Sequence, residues 1–425
     1  MWAKRALSIG RPRTPLSGSA VSNPFQILTR DLLVEEERKP NYKPHHFYPV
    51  QLGEVLNGSY QVVTKVGYGG SSTVWLAKGI QRQLFPMPWK STRYVTLKVC
   101  TNNHADVSSA LHELEISRHI ASSNASHPGR KYVRTVLESF EIAGTYGNHL
   151  CLVYESMREP IWLPKRRLPD CRYPSSLLKS TVWLLLTGLD YLHSECHVIH
   201  TDIKPENILV RLESLSVLDD VAKAEADEPS PRKVLEDRTI YLSRNNFGDP
   251  KSGPGRPVIT DFDSATRGDV SHPLTHPIQP DPYRSPEATL GAPWTYSTDI
   301  WNLGLMLWDL LNEDSLCPGI DPERQRYTHR AHLAQLIGLL GPPPKELLSQ
   351  GSKASQWFDS EGEFKFQNFI PQGISLADTV TNMEGEDKKL FLEFASKMLQ
   401  WLPENRSTAK ELLSDPWLHW FPDKE

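Results

Sequence analysis

The ten residues HTDIKPENIL, His200–Leu209, place an acid (Asp202), a cation (Lys204) and an amide (Asn207) within six positions and then turn apolar. Each type suits a separate task. A carboxylate near a substrate hydroxyl can accept or orient its proton. A lysine two residues on can steady a transferred phosphate, and an amide oxygen five residues on can hold a hard cation. Downstream, VITDFDSAT (258–266) presents Asp261 after an apolar strand, a suitable place for a second oxygen ligand. A base, a cation and Mg²⁺ bridging phosphates are the parts that phosphoryl transfer asks for.

Such groups need elements to aim them. YQVVTKVGYGGSSTVWLAKG (60–79) reads as strand, turn and strand, with Gly67, Gly69 and Gly70 in the turn. A glycine turn between two strands argues against a dinucleotide fold and against a P-loop, which also needs G-K-[ST]. Its bare N–H groups could lie over phosphates, or the turn could be a tight hairpin with no ligand. RYVTLKVCT (93–101) is a third strand. Lys98, flanked by Leu97 and Val99, faces the other side of that strand; it either snorkels to solvent or grips phosphate and needs a carboxylate to hold it. A helix over 108–121 supplies one. At about 100° per residue, Glu113 falls in the arc of Ala110, Leu114, Ile116 and Ile120, with Glu115 on the opposite side. An inward acid requires a partner, and Lys98 is the candidate.

HLCLVYESM (149–157) reads as a buried strand ending in a connector. From about 175 the pattern turns helical, in SSLLKSTVWLLLTGLDYLHS, STDIWNLGLMLWDLL, RAHLAQLIGLL and KKLFLEFASKMLQWL. A β-rich front and a helical back suggest two lobes with a cleft between them. Residues 211 to about 257, acidic and proline-bearing, read as a partly mobile surface insertion that fits neither lobe well.

Composition bounds the function. The 425 residues are 39% hydrophobic and 23% charged, ordinary for a soluble globular chain of two or three domains or lobes. A net charge of -4 gives no global field for nucleic acid. Five scattered cysteines without a C-x-x-C pair point to reduced intracellular thiols. No apolar run approaches the roughly 18 residues of a membrane helix. The first thirty residues carry Lys4, Arg5, Arg11, Arg13 and Arg30 and no acid, a composition compatible with a mitochondrial transit peptide. Pro12, Pro15 and Pro24 interrupt a long helix there and favour a disordered tail. HSECH (193–197) has the two histidines of a zinc motif with the acid misplaced, so His193 is expected to pack in the core.

Taken in order, GYGGSSTV, VTLK, HEL, HTDIKPEN, DFD and SPE resemble the signature set of the protein kinases over about residues 60–420. SSTVWLA, the threonine of HTDIKPENIL, YRSPE and AHLAQLIGLLGPPP are similar to the SR-protein kinase branch of the CMGC group, fungal members above all. The resemblance implies an α+β, bilobal kinase fold: a disordered or targeting tail over 1–45, a β-rich N-lobe over 46–157, and a helical C-lobe over 158–420 with a spacer-like insert at about 211–257. It implies ATP and Mg²⁺ as cofactors and a serine/threonine protein kinase acting on Arg/Ser-containing proteins such as splicing factors. It further implies a monomer of cytoplasm and nucleus, without direct contact to nucleic acid or membrane; a mitochondrial address is the alternative if the basic tail is a signal.

Roles carry over by position. Asp202 would be the catalytic base and Lys204 the phosphate-steadying cation. Gly67, Tyr68, Gly69, Gly70, Ser71, Ser72, Val74 and Lys98 would line ATP, with Glu113 holding Lys98. Tyr154 would be the gatekeeper, and Glu155 and Met157 would give hinge contacts to adenine. Asn207 and Asp261 would hold Mg²⁺. Asp299 would brace the catalytic loop, and Arg406 would pair with Glu287.

Four departures stand out. Thr201 replaces the arginine that meets an activation-segment phosphate, implying activity without that switch. Asp263 replaces a glycine, which stiffens the turn beside the metal and leaves a pseudokinase scaffold as the rival reading. Thr96 replaces an alanine above the adenine. Around Glu313, Asp314, Asp321 and Glu323, the arginines 324, 326 and 330 dilute the acidic field that would dock long Arg-Ser substrates. A small-molecule kinase is disfavoured by the P-E motif and the long helical tail.

Overall fold

Short β-branched runs form the first part of the structure, as their alternation predicts. The computed structural model describes residues 26–80, 94–251, 253 and 255–419. Most of the basic tail, and with it the transit-peptide expectation, lies outside these residues, as does Arg93. The described residues divide between two compact units: one drawn from Met1–Leu114, Val136–Arg158 and Leu212–Gly248, the other from Glu115–Thr135, Glu159–Arg211 and Asp249–Glu425.

The first unit is built on an antiparallel sheet of β1 (Val55–Leu56), β2 (Tyr60–Tyr68), β3 (Ser72–Gly79), β4 (Tyr94–Cys100), β5 (Val136–Gly144) and β6 (Gly147–Glu155), in the order β1-β2-β3-β4-β6-β5. One face carries Val62, Trp75, Ala77, Val95, Leu97, Val99, Cys151 and Val153 into a common core. Register fixes what faces the other way. Val74 lies opposite Lys98 across β3 and β4, and Thr96 opposite Tyr154 across β4 and β6. β5 has no clear sequence signal, because Glu138, Ser139 and Glu141 blur its alternation and it is largely half-exposed.

The insert differs from expectation. Residues 212–248 belong to the sheet unit rather than to the helical lobe, and they are structured. A helix, Ser216–Asp227, turns Leu218 and Val221 onto Leu76 and Tyr94, and Asp219 accepts a 2.8 Å bond from Tyr94 Oη. A hairpin of Arg232–Val234 and Thr239–Tyr241 comes next, with Tyr241 edge-on to Trp75 at 5.8 Å. A polar composition conceals this because one narrow apolar stripe is enough to dock a three-turn helix. The N-terminal expectation also changes: residues 26–45 carry a single-turn helix at Glu35–Arg38, and Ile27 bridges to Arg232 of the hairpin.

The second unit is helical. Ser175–Asp190, Ser297–Leu311, His329–Leu340 and Gly385–Ser396 surround a core containing Leu185, Leu186, Trp301, Trp308, Phe391, Phe394 and Trp417. Two small antiparallel ladders sit beside it. Ile208–Val210 pairs with Pro257–Ile259, and Val198–Ile199 with Thr266–Arg267. These ladders tie the start of 200–207 to the end of 260–265, and the end of 200–207 to the start of 260–265.

Candidate active site

In the sheet unit, Lys98 and Glu113 meet as expected. Lys98 Nζ donates to Glu113 Oε2 at 2.8 Å, and the Glu113 side chain is 3% exposed. The helix that carries Glu113 runs His104–Ser122, longer than the sequence pattern suggests, with Ala110, Leu114, Ile116 and Ile120 buried and Glu115 exposed. Sequence reasoning misses the third member. Tyr154 Oη donates to Glu113 Oε1 at 2.5 Å, so both carboxylate oxygens are engaged. An unpaired carboxylate at this depth would cost several kcal/mol; a cation on one oxygen and a phenol on the other remove that penalty and fix the lysine. Tyr154 is thus a brace as well as the expected gatekeeper position, a relation that a separation of 41 residues does not announce.

The glycine turn joins β2 to β3. Gly69 N donates to Ser72 O at 2.8 Å, and Thr101 N reaches Ser71 O at 2.9 Å. Ser72 is buried, Tyr68 is exposed, and Val74 is half-buried. Gly70 has no positive φ, and a Cβ placed there would meet nothing within 4 Å among the described residues. The chain itself therefore does not require glycine at 70. At the end of β6, Glu155 is exposed, Met157 is buried, and Thr96 Oγ1 donates to Ser156 Oγ at 3.3 Å.

In the helical unit, the loop after Ile199 hangs on Asp299. This fully buried carboxylate accepts from His200 N and Thr201 N at 2.8 Å each, and His193 Nε2 lies 2.8 Å from it. That contact gives His193 a structural role, as a half-buried ring bonded to Asp299 and not the core packing expected of it. Thr201 has φ 66, a left-handed conformation unusual for a β-branched residue, and its Oγ1 donates to Ser264 O at 2.8 Å. His200 is buried against Phe262, and its Nδ1 accepts from Asp202 N at 3.2 Å.

Asp202 is unevenly used. Its Oδ2 accepts from Lys204 Nζ at 2.6 Å and from Asn207 Nδ2 at 2.7 Å. Its Oδ1 is buried and has no hydrogen-bond partner among the described residues. Burial pushes the Asp202 carboxyl above the ordinary carboxylate range, against the opposing pull of Lys204. A buried oxygen without a donor is costly, and in a carboxylate it is a ready proton acceptor. Asn207 is tied to the second metal candidate through the backbone: Thr260 N donates to Asn207 O at 3.0 Å, one residue before Asp261. Asp261 has φ 72. Two oxygen donors at the ends of paired strands fit a hard cation that takes its remaining ligands from phosphates and water.

A cavity of about 380 Å³ adjoins this loop, lined by acids Glu206, Asp309 and Glu313, by Lys165 and Arg166, and by Trp162. Lys165 Nζ is spent on the Asp309 carbonyl at 2.6 Å. Farther on, Asp321 and Glu323 both accept from Arg330, at 2.6 and 2.5 Å, and Arg330 lies over Phe369 at 4.3 Å. One guanidinium thus holds two of the four acids of this stretch, which weakens its acidic field beyond the dilution visible in sequence. Arg406 and Glu287 form a two-pronged pair, both bonds 2.7 Å and both side chains fully buried.

The arrangement finds its counterpart among known proteins. The Protein kinase domain family matches residues 60–418. The chain belongs to that family. It is similar to a serine/threonine protein kinase of Aspergillus fumigatus, at 40% identity over 410 residues, covering 96% of this chain and 95% of the relative. It is also similar to the serine/threonine-protein kinase SRPK of Physarum polycephalum, at 30% identity over 403 residues, covering 90% and 91%. SRSF protein kinase 3 of Homo sapiens aligns at 24% identity, covering 96% and 95%. A kinase-domain crystal structure superposes with a TM-score of 0.65 at 23% identity, covering 88% of this chain and 99% of that one, which supports the fold. This kinase is thus a serine/threonine protein kinase of SR-protein-kinase-like sequence. It uses ATP with a divalent metal and acts on protein substrates.

Proposed function

We propose that this kinase transfers the ATP γ-phosphate, with Mg²⁺, to serine or threonine in arginine-containing proteins of the splicing-factor type. The half-engaged carboxylate of Asp202 carries the reading. Lys204 and Asn207 fix its Oδ2 and leave Oδ1, on a carboxyl that burial makes more basic, to accept the substrate hydroxyl proton. Lys204 would then also steady the transferred phosphate. Asn207 and Asp261 would hold Mg²⁺, whose charge offsets that of the phosphates. Lys98, locked by Glu113 and Tyr154, would hold phosphate oxygens, and the turn Gly67–Ser72 with Val74 would cover the nucleotide. An otherwise unexplained Gly70 suits a backbone that a ligand approaches closely. Adenine would meet the backbone of Glu155 and Met157.

Recognition of a basic side chain is supported by the cavity beside the loop, where Glu206 and Glu313 contribute carboxylates, Asp309 being held by Tyr283 and Ser315, and one of the two cations is already engaged. The Asp321–Arg330–Glu323 cluster, in which one guanidinium occupies two acids, disfavours a long remote docking groove. The preferred substrate is therefore a short arginine-containing motif. A radiolabel assay on an Arg-Ser peptide and on a basic control protein tests this, with Asp202→Asn alongside. Transfer to the peptide that exceeds the variant and the control supports it; equal transfer to both substrates removes the arginine-serine preference, and none above the variant on either removes the catalytic assignment.

A further inference from the structure

Lys65, two residues before the glycine turn, takes no part in the proposed transfer, yet it is one of the most completely buried large side chains. Its side chain is 1% exposed, and its ammonium sits between Glu36, in close contact, and Glu35 Oε2 at 3.5 Å. It also lies 5.5 Å from the ring centre of Tyr68, within the turn, and Lys39 approaches the same ring at 5.7 Å. The acids come from the single-turn helix Glu35–Arg38, which continues the connection to the insert. Glu35 accepts from Ser243 N at 3.1 Å and Ser243 Oγ at 2.6 Å; Glu37 accepts from Lys233 Nζ at 2.9 Å. The insert also reaches β2 directly. Arg244 N donates to Lys65 O at 2.8 Å, and Thr64 Oγ1 donates to Glu225 at 3.0 Å.

Two segments far apart in sequence thus converge on Thr64 and Lys65. The β2–β3 register shifts on either side of this pair, between Val62 and Thr64 and between Lys65 and Gly67. Such irregularities loosen a ladder and re-aim the residues beyond them. A buried ion pair is a poor way to gain stability but a strict way to fix geometry, since a displaced charge is left unpaired.

We propose that Lys65 is a positioning residue for the glycine-rich turn, latched by the acidic turn Glu35–Glu37, and that the insert sets the latch through Lys233 and Ser243. The inference rests on the reading that this turn covers ATP phosphates. It predicts a nucleotide grip that answers to the insert, although no insert residue need touch nucleotide.

The test uses the full chain with Lys65→Met, Lys65→Arg and Lys233→Met, following amide exchange at residues 67–72, KM for ATP, kcat and thermal unfolding. Lys65→Met is expected to speed exchange in the turn roughly tenfold. It should raise KM for ATP about fivefold, with kcat within about twofold, and Lys65→Arg should restore both. Lys233→Met should move the same readouts in the same direction by a smaller factor; it decides the matter if Lys65→Met does not fold. Unchanged exchange at 67–72 in the folded variants overturns the latch. Faster exchange with an unchanged KM for ATP leaves the latch standing and removes the ATP reading of the turn.

Discussion

The two units each hold a carboxylate, Glu113 buried and Asp202 half-buried, in a hydrogen-bonded cluster, and they use it in opposite ways. Glu113 in the sheet unit has both oxygens engaged, by Lys98 and Tyr154. Asp202 in the helical unit has one oxygen engaged twice and the other bare. The first arrangement consumes the acid in order to fix a lysine. The second spends a lysine and an amide in order to orient the acid. The contrast separates a carboxylate whose oxygens are both consumed in holding a lysine from one that keeps an oxygen for another partner, which is what the proposed roles of Glu113 and Asp202 require.

Breaking the reactive carboxylate should give the largest effect. Asp202→Asn keeps the shape and the bonds to the loop but removes the proton acceptor, so kcat should fall roughly 10³-fold while KM for ATP stays within about twofold. Steady-state phosphate transfer measures both. A loss of less than tenfold would erase the distinction between the two acids. Glu113→Gln should act through Lys98 instead. It weakens one charged contact, and KM for ATP should rise by about tenfold with a smaller loss in kcat. Tyr154→Phe removes only the phenol bond, worth about 1 kcal/mol, and should raise KM by roughly fivefold.

The contrast also has a pH signature. Asp202 must be ionised to accept a proton, and its folded-state pKa is raised, chiefly by burial. Activity should therefore be full above that pKa and be lost as pH falls through it. Lys204 opposes the rise, so Lys204→Met should move the acid limb of kcat to higher pH as well as lowering the plateau. A lower plateau with an unmoved limb would mean that Lys204 serves the phosphate alone.

These features differ in how visible they are in sequence. Lys98 and Glu113 are readable as a pair because strand alternation and helix periodicity each fix a direction, and an inward acid demands a cation. The 200–209 cluster is readable because its spacing is local. Tyr154 on Glu113 is not, since the contact depends on the register of β4 against β6. The insert is hidden for a related reason: its acids look solvated in sequence, yet Glu225 and Asp219 are bonded to Thr64 and Tyr94, and Leu218 and Val221 supply the apolar contact. Asp321 likewise looks like part of a docking field, whereas its partner Arg330 lies nine residues on and folds back over it.

The smallest expected effect concerns Thr201. An arginine in that place would receive a phosphate from the activation segment and make the loop's order conditional on it. Thr201 instead donates its hydroxyl to Ser264 O, while its backbone N–H is held by Asp299. The link between the catalytic loop and the segment after Asp261 is thus made by a neutral bond already in place. Asp263 tells the same story, since its φ is not positive and a glycine there would relieve no strain. Phosphatase treatment should therefore leave kcat within about twofold, and Asp263→Gly should do the same to the affinity for Mg·ATP. Thr201→Val, which strands the Ser264 carbonyl, should cost more than either, about 1 kcal/mol of stability by denaturant unfolding. Activity abolished by dephosphorylation and restored by rephosphorylating the loop would show that this neutral link is not sufficient. The helical unit would then need an added charge to orient Asp202, just as the sheet unit needs Glu113 to orient Lys98.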